Sequence, residues 1–296
     1  MQPKSWQVGI VLSIGVVAVS TAAILIRLTM AAAATNSVGF SLFIAASRLI
    51  ISAVILIPTW HSFKNYQVTN KALIFAIAAG ICLALHFATW ITSLAFTSIA
   101  ASTALVTTNP IWVAILSQVW LKEKLSKYTI IAILIALTGG IIIALADYDS
   151  TELTNPILGD ILALIGAWMA SLYLLFGLQA QRQGLNISNY IAVSYSTAAL
   201  ILFPLPLLFG VNYFDYPSKV YFYILLMAII AQLIGHTTFN WAITWISPTF
   251  VTLSILFEPI GSSLLGYFLF AETPANLVIV GGLVLLLGVA LAIISK

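Results

Sequence analysis

The run Gln232 to Glu272, QLIGHTTFNWAITWISPTFVTLSILFEPIGSSLLGYFLFAE, decides how the rest of the chain is read. Its second half, Thr249 to Phe270, is an apolar segment of membrane-span length with Glu258-Pro259 at its centre. A charged group in the middle of a hydrocarbon layer is costly, so an ionisable residue there marks a functional position. Pro259 has no N–H to give the carbonyl of Ile255, so the turn before it kinks or loosens and that carbonyl is freed. In lipid a freed carbonyl has to be satisfied by protein or by water in a cavity. Both residues ask the remainder of the chain for a polar interior.

Composition gives the class. Apolar residues make up 62% of the 296 and charged residues 6%, against about 25% charged in ordinary globular proteins. A soluble fold could not cover that much apolar surface, so the chain reads as an all-α, multi-pass integral membrane protein. Its lone cysteine, Cys82, excludes an internal disulfide. Trp6 to Ile26 is too long, and lacks the small-residue cleavage pattern, for a removable signal peptide; it is taken as the first span. No basic patch suited to nucleic acid is present.

Ten apolar segments can be drawn, at 6–27, 38–59, 72–94, 102–121, 128–146, 158–180, 187–209, 220–245, 249–270 and 276–294. With the N-terminus inside, Lys4, Lys64, Lys71, Lys122, Lys124, Lys127, Arg182 and Lys296 fall on the cytoplasmic side, and Arg27 and Lys219 outside. The acids Asp147, Asp149, Glu152, Asp160, Asp215 and Glu272 all fall outside. That split supports ten spans with both termini cytoplasmic.

The chain also repeats. Shifted by 149 residues, Asn109-Pro110 falls on Glu258-Pro259, Glu123 on Glu272, Gly139 on Gly288, Thr103 on Thr252 and Ser98 on Ser247. At 150, His86 falls on His236 and Phe40 on Tyr190. The halves, 1–147 and 150–296, read as a five-span duplication. An odd number of spans per half turns the second half upside down, and inverted repeats of this kind make transporters with a site near the midplane.

With five plus five spans, Arg48 in the second, Asn109-Pro110 and Glu258-Pro259 in the fourth and ninth, Glu123 and Glu272 closing them, and glycines Gly139, Gly140, Gly281, Gly282 and Gly288 in the fifth and tenth, the chain resembles the EamA type of the drug/metabolite transporter superfamily. The resemblance implies a ten-helix fold around a central cavity, working by alternating access, often for export of amino acids or other metabolites. It does not name the cargo.

The polar residues inside the spans are the site candidates. By helical rise, Glu258 lies roughly 14 Å in from the inner end of its span and Arg48 roughly 15 Å in from the outer end of its own. Either they pair in one state of the cycle, or Arg48 binds a substrate carboxylate while Glu258 takes a proton or an amine. The structural alternative is that Arg48 bonds carbonyls and that Glu258 is a neutral acid bonded to backbone freed by Pro259. Gln232, His236 and Asn240 share one face of the eighth span, and His86, Trp90 and Ser93 one face of the third. These histidines suit substrate binding or proton relay, or plain interhelical hydrogen bonding. Trp90, Trp168 and Trp241 are candidate cavity walls, while Trp6, Trp60 and Trp120 read as interface anchors.

Further stripes are Ser254, Glu258 and Ser262, and Tyr190, Ser194 and Thr197. Asn109 keeps the polar atom of Glu258 and lacks its charge, which makes Glu258 the coupling candidate; Pro110 and Pro259 shape their helices. The small residues Ala132, Ala136, Gly140 and Ala144, with Gly281, Gly288 and Ala292, suit close helix packing. They are read as packing within the bundle in preference to a dimer face, leaving a monomer or a weak homodimer.

The functional expectation is a secondary transporter, an exporter of small metabolites across a bacterial-type plasma membrane, with a proton as the candidate coupling ion. No cofactor, metal or enzymatic activity is expected, since Walker, HExxH and nucleophile-elbow patterns are missing. A sugar-phosphate or nucleotide-sugar exchanger is the runner-up, and it needs more buried cations than Arg48 supplies. A membrane scaffold or passive channel leaves Arg48 and Glu258 without a purpose.

Overall fold

The computed structural model describes residues 3–65, 68–121, 126–147, 154–271 and 273–294, and every regular element among them is helical. Lys122, Glu123, Lys124, Asp149, Glu152, Glu272 and Lys296 lie outside the described residues.

The helices are α1 (Ser5–Ser20), α2 (Ala22–Ala33), α3 (Val38–Ile55), α4 (Asn70–Ser93), α5 (Ile99–Val106), α6 (Asn109–Leu121), α7 (Lys127–Asp147), α8 (Pro156–Arg182), α9 (Ile187–Leu202), α10 (Pro204–Leu208), α11 (Ser218–Leu226), α12 (Thr237–Ala242), α13 (Pro248–Ile255), α14 (Glu258–Phe270) and α15 (Asn276–Ile294). A 3-10 stretch, Ile57–Asn65, follows α3, and a π-helical stretch, Met227–His236, joins α11 to α12. Seven runs among the described residues are long and apolar enough to cross a membrane, from Ser5–Ala33 to Ser218–Ala242. The shorter apolar stretches Ile130–Ile142, Ile260–Phe270 and Asn276–Gly288 lie in α7, α14 and α15.

Local chemistry sets the starts. Ser37, Thr69, Ser98, Asn155 and Asn186 each accept an N–H from the first turn of the helix that follows, which is what small polar side chains do at N-caps. Ser247 does the same for α13, accepting from Phe250 N at 3.3 Å. Ser98 and Ser247, 149 residues apart, therefore hold equivalent caps.

The first segment is longer than the 6–27 drawn from sequence. LTMAAAA after Arg27 is good helix-forming sequence, so α2 runs on to Ala33 and ends at Ala34 in the left-handed region (φ 52°). Arg27 consequently sits within the helix, where its Nη2 donates to Thr97 O at 2.7 Å.

Packing repeats at the same interval. A Cβ added to Gly139 would come within 2.6 Å of Gly281 O, and one added to Gly288 within 2.7 Å of Ala132 O. Gly281 is Ala132 shifted by 149 and Gly288 is Gly139 shifted by 149, so the α7–α15 contact is its own mirror. Ala132, Ala136 and Gly139 of α7 thus pack on Gly281 and Gly288 of α15, whereas Gly140 faces Leu105 of α5. Gly15 on α1 fits against Thr238, and Gly166 on α8 against Thr89 and Trp90; Thr238 is again Thr89 shifted by 149. The main core is built around α1–α4, α8, α9 and the π stretch, and a smaller cluster joins α5, α7 and α15.

Candidate functional site

Three interruptions bring backbone polar groups to the middle of the bundle. The α1/α2 run is broken at Thr21, whose hydroxyl donates to Ala18 O at 2.7 Å. The α5/α6 run is broken at Thr107-Thr108, and the α13/α14 run at Leu256-Phe257, each just ahead of an acid or amide followed by proline. Residues beside all three breaks line one cavity: Val19 and Ala22, Val106, Thr107 and Asn109, Ile255 and Glu258. Its remaining wall comes from His86 and Trp90 on α4, Ala170, Tyr173 and Leu174 on α8, and His236 and Phe239. The cavity is narrow, with a volume of about 40 Å³.

The two breaks before proline are built differently. The last four carbonyls of a helix lack intrahelical partners, and at the end of α5 side chains supply them. Thr107 Oγ1 donates to Thr103 O (2.8 Å) and Ala104 O (3.2 Å), and Thr108 Oγ1 to Leu105 O (2.8 Å). With its amide nitrogen turned to the acceptors around it, Asn109 donates to Val106 O at 3.0 Å and across to Ala167 O on α8 at 2.9 Å. Val106 O is the carbonyl that Pro110 cannot reach. At the end of α13 the corresponding positions are Leu256, Phe257 and Glu258. Ser254 O accepts from Phe257 N at 3.3 Å, and Ile255 O accepts no hydrogen bond among the described residues. Glu258 is buried on the cavity wall, and its carboxyl likewise makes no hydrogen bond among the described residues.

The histidines meet across the cavity wall. His86 Nδ1 lies 2.9 Å from Gly166 O. A carbonyl only accepts, so Nδ1 carries the proton, and Nε2 of the neutral ring is the acceptor. The His86 ring stacks on Trp90 (5.7 Å) and meets His236 edge-on (6.1 Å). His236 also packs on Phe87 (5.2 Å) and Tyr173 (6.3 Å).

Arg48 is fully buried and stands one ring behind this wall. Its guanidinium lies 4.1 Å from the centre of the Phe87 ring, a cation–π distance. Its Nη2 donates to Gln232 Oε1 at 3.1 Å, while Nε and Nη1 have no hydrogen-bond partner among the described residues. Arg48 and Glu258 do not close to an ion pair of 4.0 Å. Asn240 is fully buried, its Nδ2 donating to Tyr173 OH (2.5 Å) and His236 O (2.7 Å).

Of the residues singled out from sequence, His86, Trp90, Asn109, His236 and Glu258 line the cavity, and Arg48, Gln232 and Asn240 form a buried layer behind it. Two are elsewhere. Trp168 is 45% exposed on the outer face of α8, where it packs on Trp112 at 6.5 Å. Ser254 is partly buried and donates to Val251 O at 2.7 Å, its own helix. Trp241 packs on Trp245 at 6.2 Å and does not line the cavity.

The profile of the EamA-like transporter family matches residues 7–145 and again 157–294. The chain belongs to the EamA-like transporter family. This family lies in the drug/metabolite transporter superfamily, and the EamA-like chain is a multi-pass membrane transporter of small solutes. A solved structure described as "Crystal structure of protein" shares its fold, with a TM-score of 0.67 at 16% identity over 98% of each chain. A search of the curated proteins gives no match.

Sequence reasoning passed over Tyr173 and Phe87 in this EamA-like site, and Tyr195 behind it, whose hydroxyl donates to Gln232 O at 3.4 Å. The tyrosines are fully buried in mid-helix, whereas tyrosines of membrane helices collect at the interfaces. That mismatch of position was the available signal. For Phe87 there was none, since one phenylalanine in an apolar span looks like any other.

Proposed function

We propose that this transporter is a secondary exporter that carries small polar or amphipathic metabolites, such as amino acids, across the plasma membrane by alternating access, with Glu258 as the proton-coupling group. The observation that carries the reading is the convergence of three interrupted helices on one cavity whose only carboxylate among the described lining residues is the unbonded Glu258. Interrupted helices present backbone dipoles and carbonyls at the substrate sites of transporters. Trp90, Tyr173 and Phe239 give the cavity aromatic surface, and His86 Nε2 and His236 give it hydrogen-bonding capacity beside that carboxylate.

The proposal includes ten spans, two inverted halves at 1–147 and 150–296, and cytoplasmic termini. The charge distribution and the contacts repeated at 149 residues support it. Among the described residues the cavity wall holds no lysine or arginine, which weighs against a sugar-phosphate or nucleotide-sugar exchanger.

Liposome flux tests the reading. Reconstituted protein is expected to move candidate amino acids in response to a pH gradient, with proton movement in step, and Glu258→Gln to lose the pH dependence. Solute flux without proton movement, unimpaired by Glu258→Gln, removes the coupling role; absence of flux for any small metabolite removes the transport assignment for these solutes.

A further inference from the structure

The two breaks before proline are the same device with one part exchanged. Around Asn109 an amide N–H takes the carbonyl that proline leaves open, Val106 O, and ties the head of α6 to α8 through Ala167 O. Glu258 occupies the equivalent place at the head of α14, with Ile255 O open three residues before it and both on the same cavity wall. A carboxylate is acceptor-only, whereas a carboxylic acid has one O–H to donate. Leu256 and Phe257, where the first break has two threonines, bring no side-chain donor.

We propose that Glu258 is a protonation-dependent cap of the α13/α14 break. Protonated, it donates its O–H to Ile255 O and fixes the head of α14 as Asn109 fixes α6. Ionised, it cannot donate; Ile255 O loses that donor, the head of α14 loosens, and the carboxylate is presented to the cavity. This deepens the proposed coupling role, on which its physiological meaning rests: the proton then acts by holding or releasing half of a broken helix. No bond is made or broken beyond the transfer of one proton between solvent and the carboxyl oxygen.

Several groups share the environment of this carboxyl. His86 faces the cavity from α4, His236 from the end of the π stretch and Tyr173 from α8. Arg48 on α3 stands behind Phe87. From α1, α2, α5 and α6 the wall carries Val19, Ala22, Val106, Thr107 and Asn109, none of them titratable. A pH response of the break therefore has to be assigned among Glu258, His86, His236 and Tyr173, and variants at Glu258 do so.

Amide hydrogen exchange on the whole protein in nanodiscs reads the break without a substrate. After correction for intrinsic rates, exchange of the Leu256, Phe257, Glu258 and Ile260 amides is expected to slow by about three- to tenfold between about pH 9 and about pH 5, the factor carried by one hydrogen bond of ordinary net strength. Glu258→Gln, whose amide always donates, is expected to be slow at both pH values, and Glu258→Ala fast at both. A wild-type break that does not respond to pH, a response that persists in Glu258→Gln, or identical behaviour of the Gln and Ala variants overturns the proposal. Because the readout needs no flux, a protein that switches without transporting sinks the transport assignment and leaves the cap standing. One that transports with proton coupling and does not switch does the opposite.

Discussion

Pro110 withholds the N–H that would otherwise close the helix onto Val106 O, and the Asn109 amide takes its place at 3.0 Å while reaching Ala167 O at 2.9 Å. Asn109→Leu leaves Val106 O without that donor in an apolar bundle, and an unsatisfied buried polar group costs about 1–3 kcal/mol. The variant is expected to unfold several degrees lower in a detergent melting experiment; an unchanged Tm would show that the amide is not needed there. Asn109→Asp is the informative companion, because an ionised side chain cannot donate and a protonated one can. It should unfold like the leucine variant at high pH and approach wild type at low pH.

Arg48 and Glu258 were visible in the sequence because charges are rare in spans. What it could not give was the aromatic ring between Arg48 and the cavity, since cation–π geometry with Phe87 depends on how α3 and α4 face each other. Nor could it give the division of labour between Asn109, bonded to backbone, and Glu258, unbonded.

At the scale of helices, the proline-linked breaks were legible and the others were not. Thr21 interrupts the first run through a hydroxyl competing for Ala18 O, a competition open to any threonine and decided only by its surroundings. The π stretch has no compositional mark. There, carbonyls find partners outside the helix: Ser52 Oγ donates to Ala228 O at 3.3 Å and Tyr195 OH to Gln232 O at 3.4 Å. Such π segments occur often at functional sites, and this one delivers Gln232 to Arg48 and His236 to the cavity. The glycine pair of α7 gives a sharp test of helix packing. Gly139 faces the backbone of α15, with Gly281 O 2.6 Å from an added Cβ, whereas Cβ at Gly140 meets only the Leu105 side chain at 3.4 Å. Gly139→Ala is expected to separate α7 from α15 and lower the yield of folded protein. Gly140→Ala should be neutral or gain up to about 1 kcal/mol from helix propensity. Comparable size-exclusion profiles and melting curves for the two variants would contradict this packing.

For the whole molecule, each of the ten apolar segments carries helix, and the 149-residue repeat reappears in caps, glycine contacts and breaks alike. Hydropathy and self-similarity were therefore readable, because every backbone group in lipid has to be satisfied within its own helix. Which way the bundle faces is an electrostatic inference from lysines and arginines, and it commits named loops to opposite sides. The face assigned outside carries a cavity of about 450 Å³ lined by Arg27, Asn36, Thr97 and Thr154, among others. The face assigned inside carries Lys71, Lys127 and Arg182. Single cysteines in a Cys82→Ala background separate the alternatives. Asn36→Cys, Thr154→Cys and Thr273→Cys are expected to react with a membrane-impermeant maleimide in intact cells. Lys71→Cys, Lys127→Cys and Arg182→Cys should react only after permeabilisation. Complete reversal would turn the orientation over while keeping the span count. Labelling of Lys127→Cys and Thr154→Cys from the same side would mean that α7 does not cross, and the inverted arrangement of the two halves would fall with it.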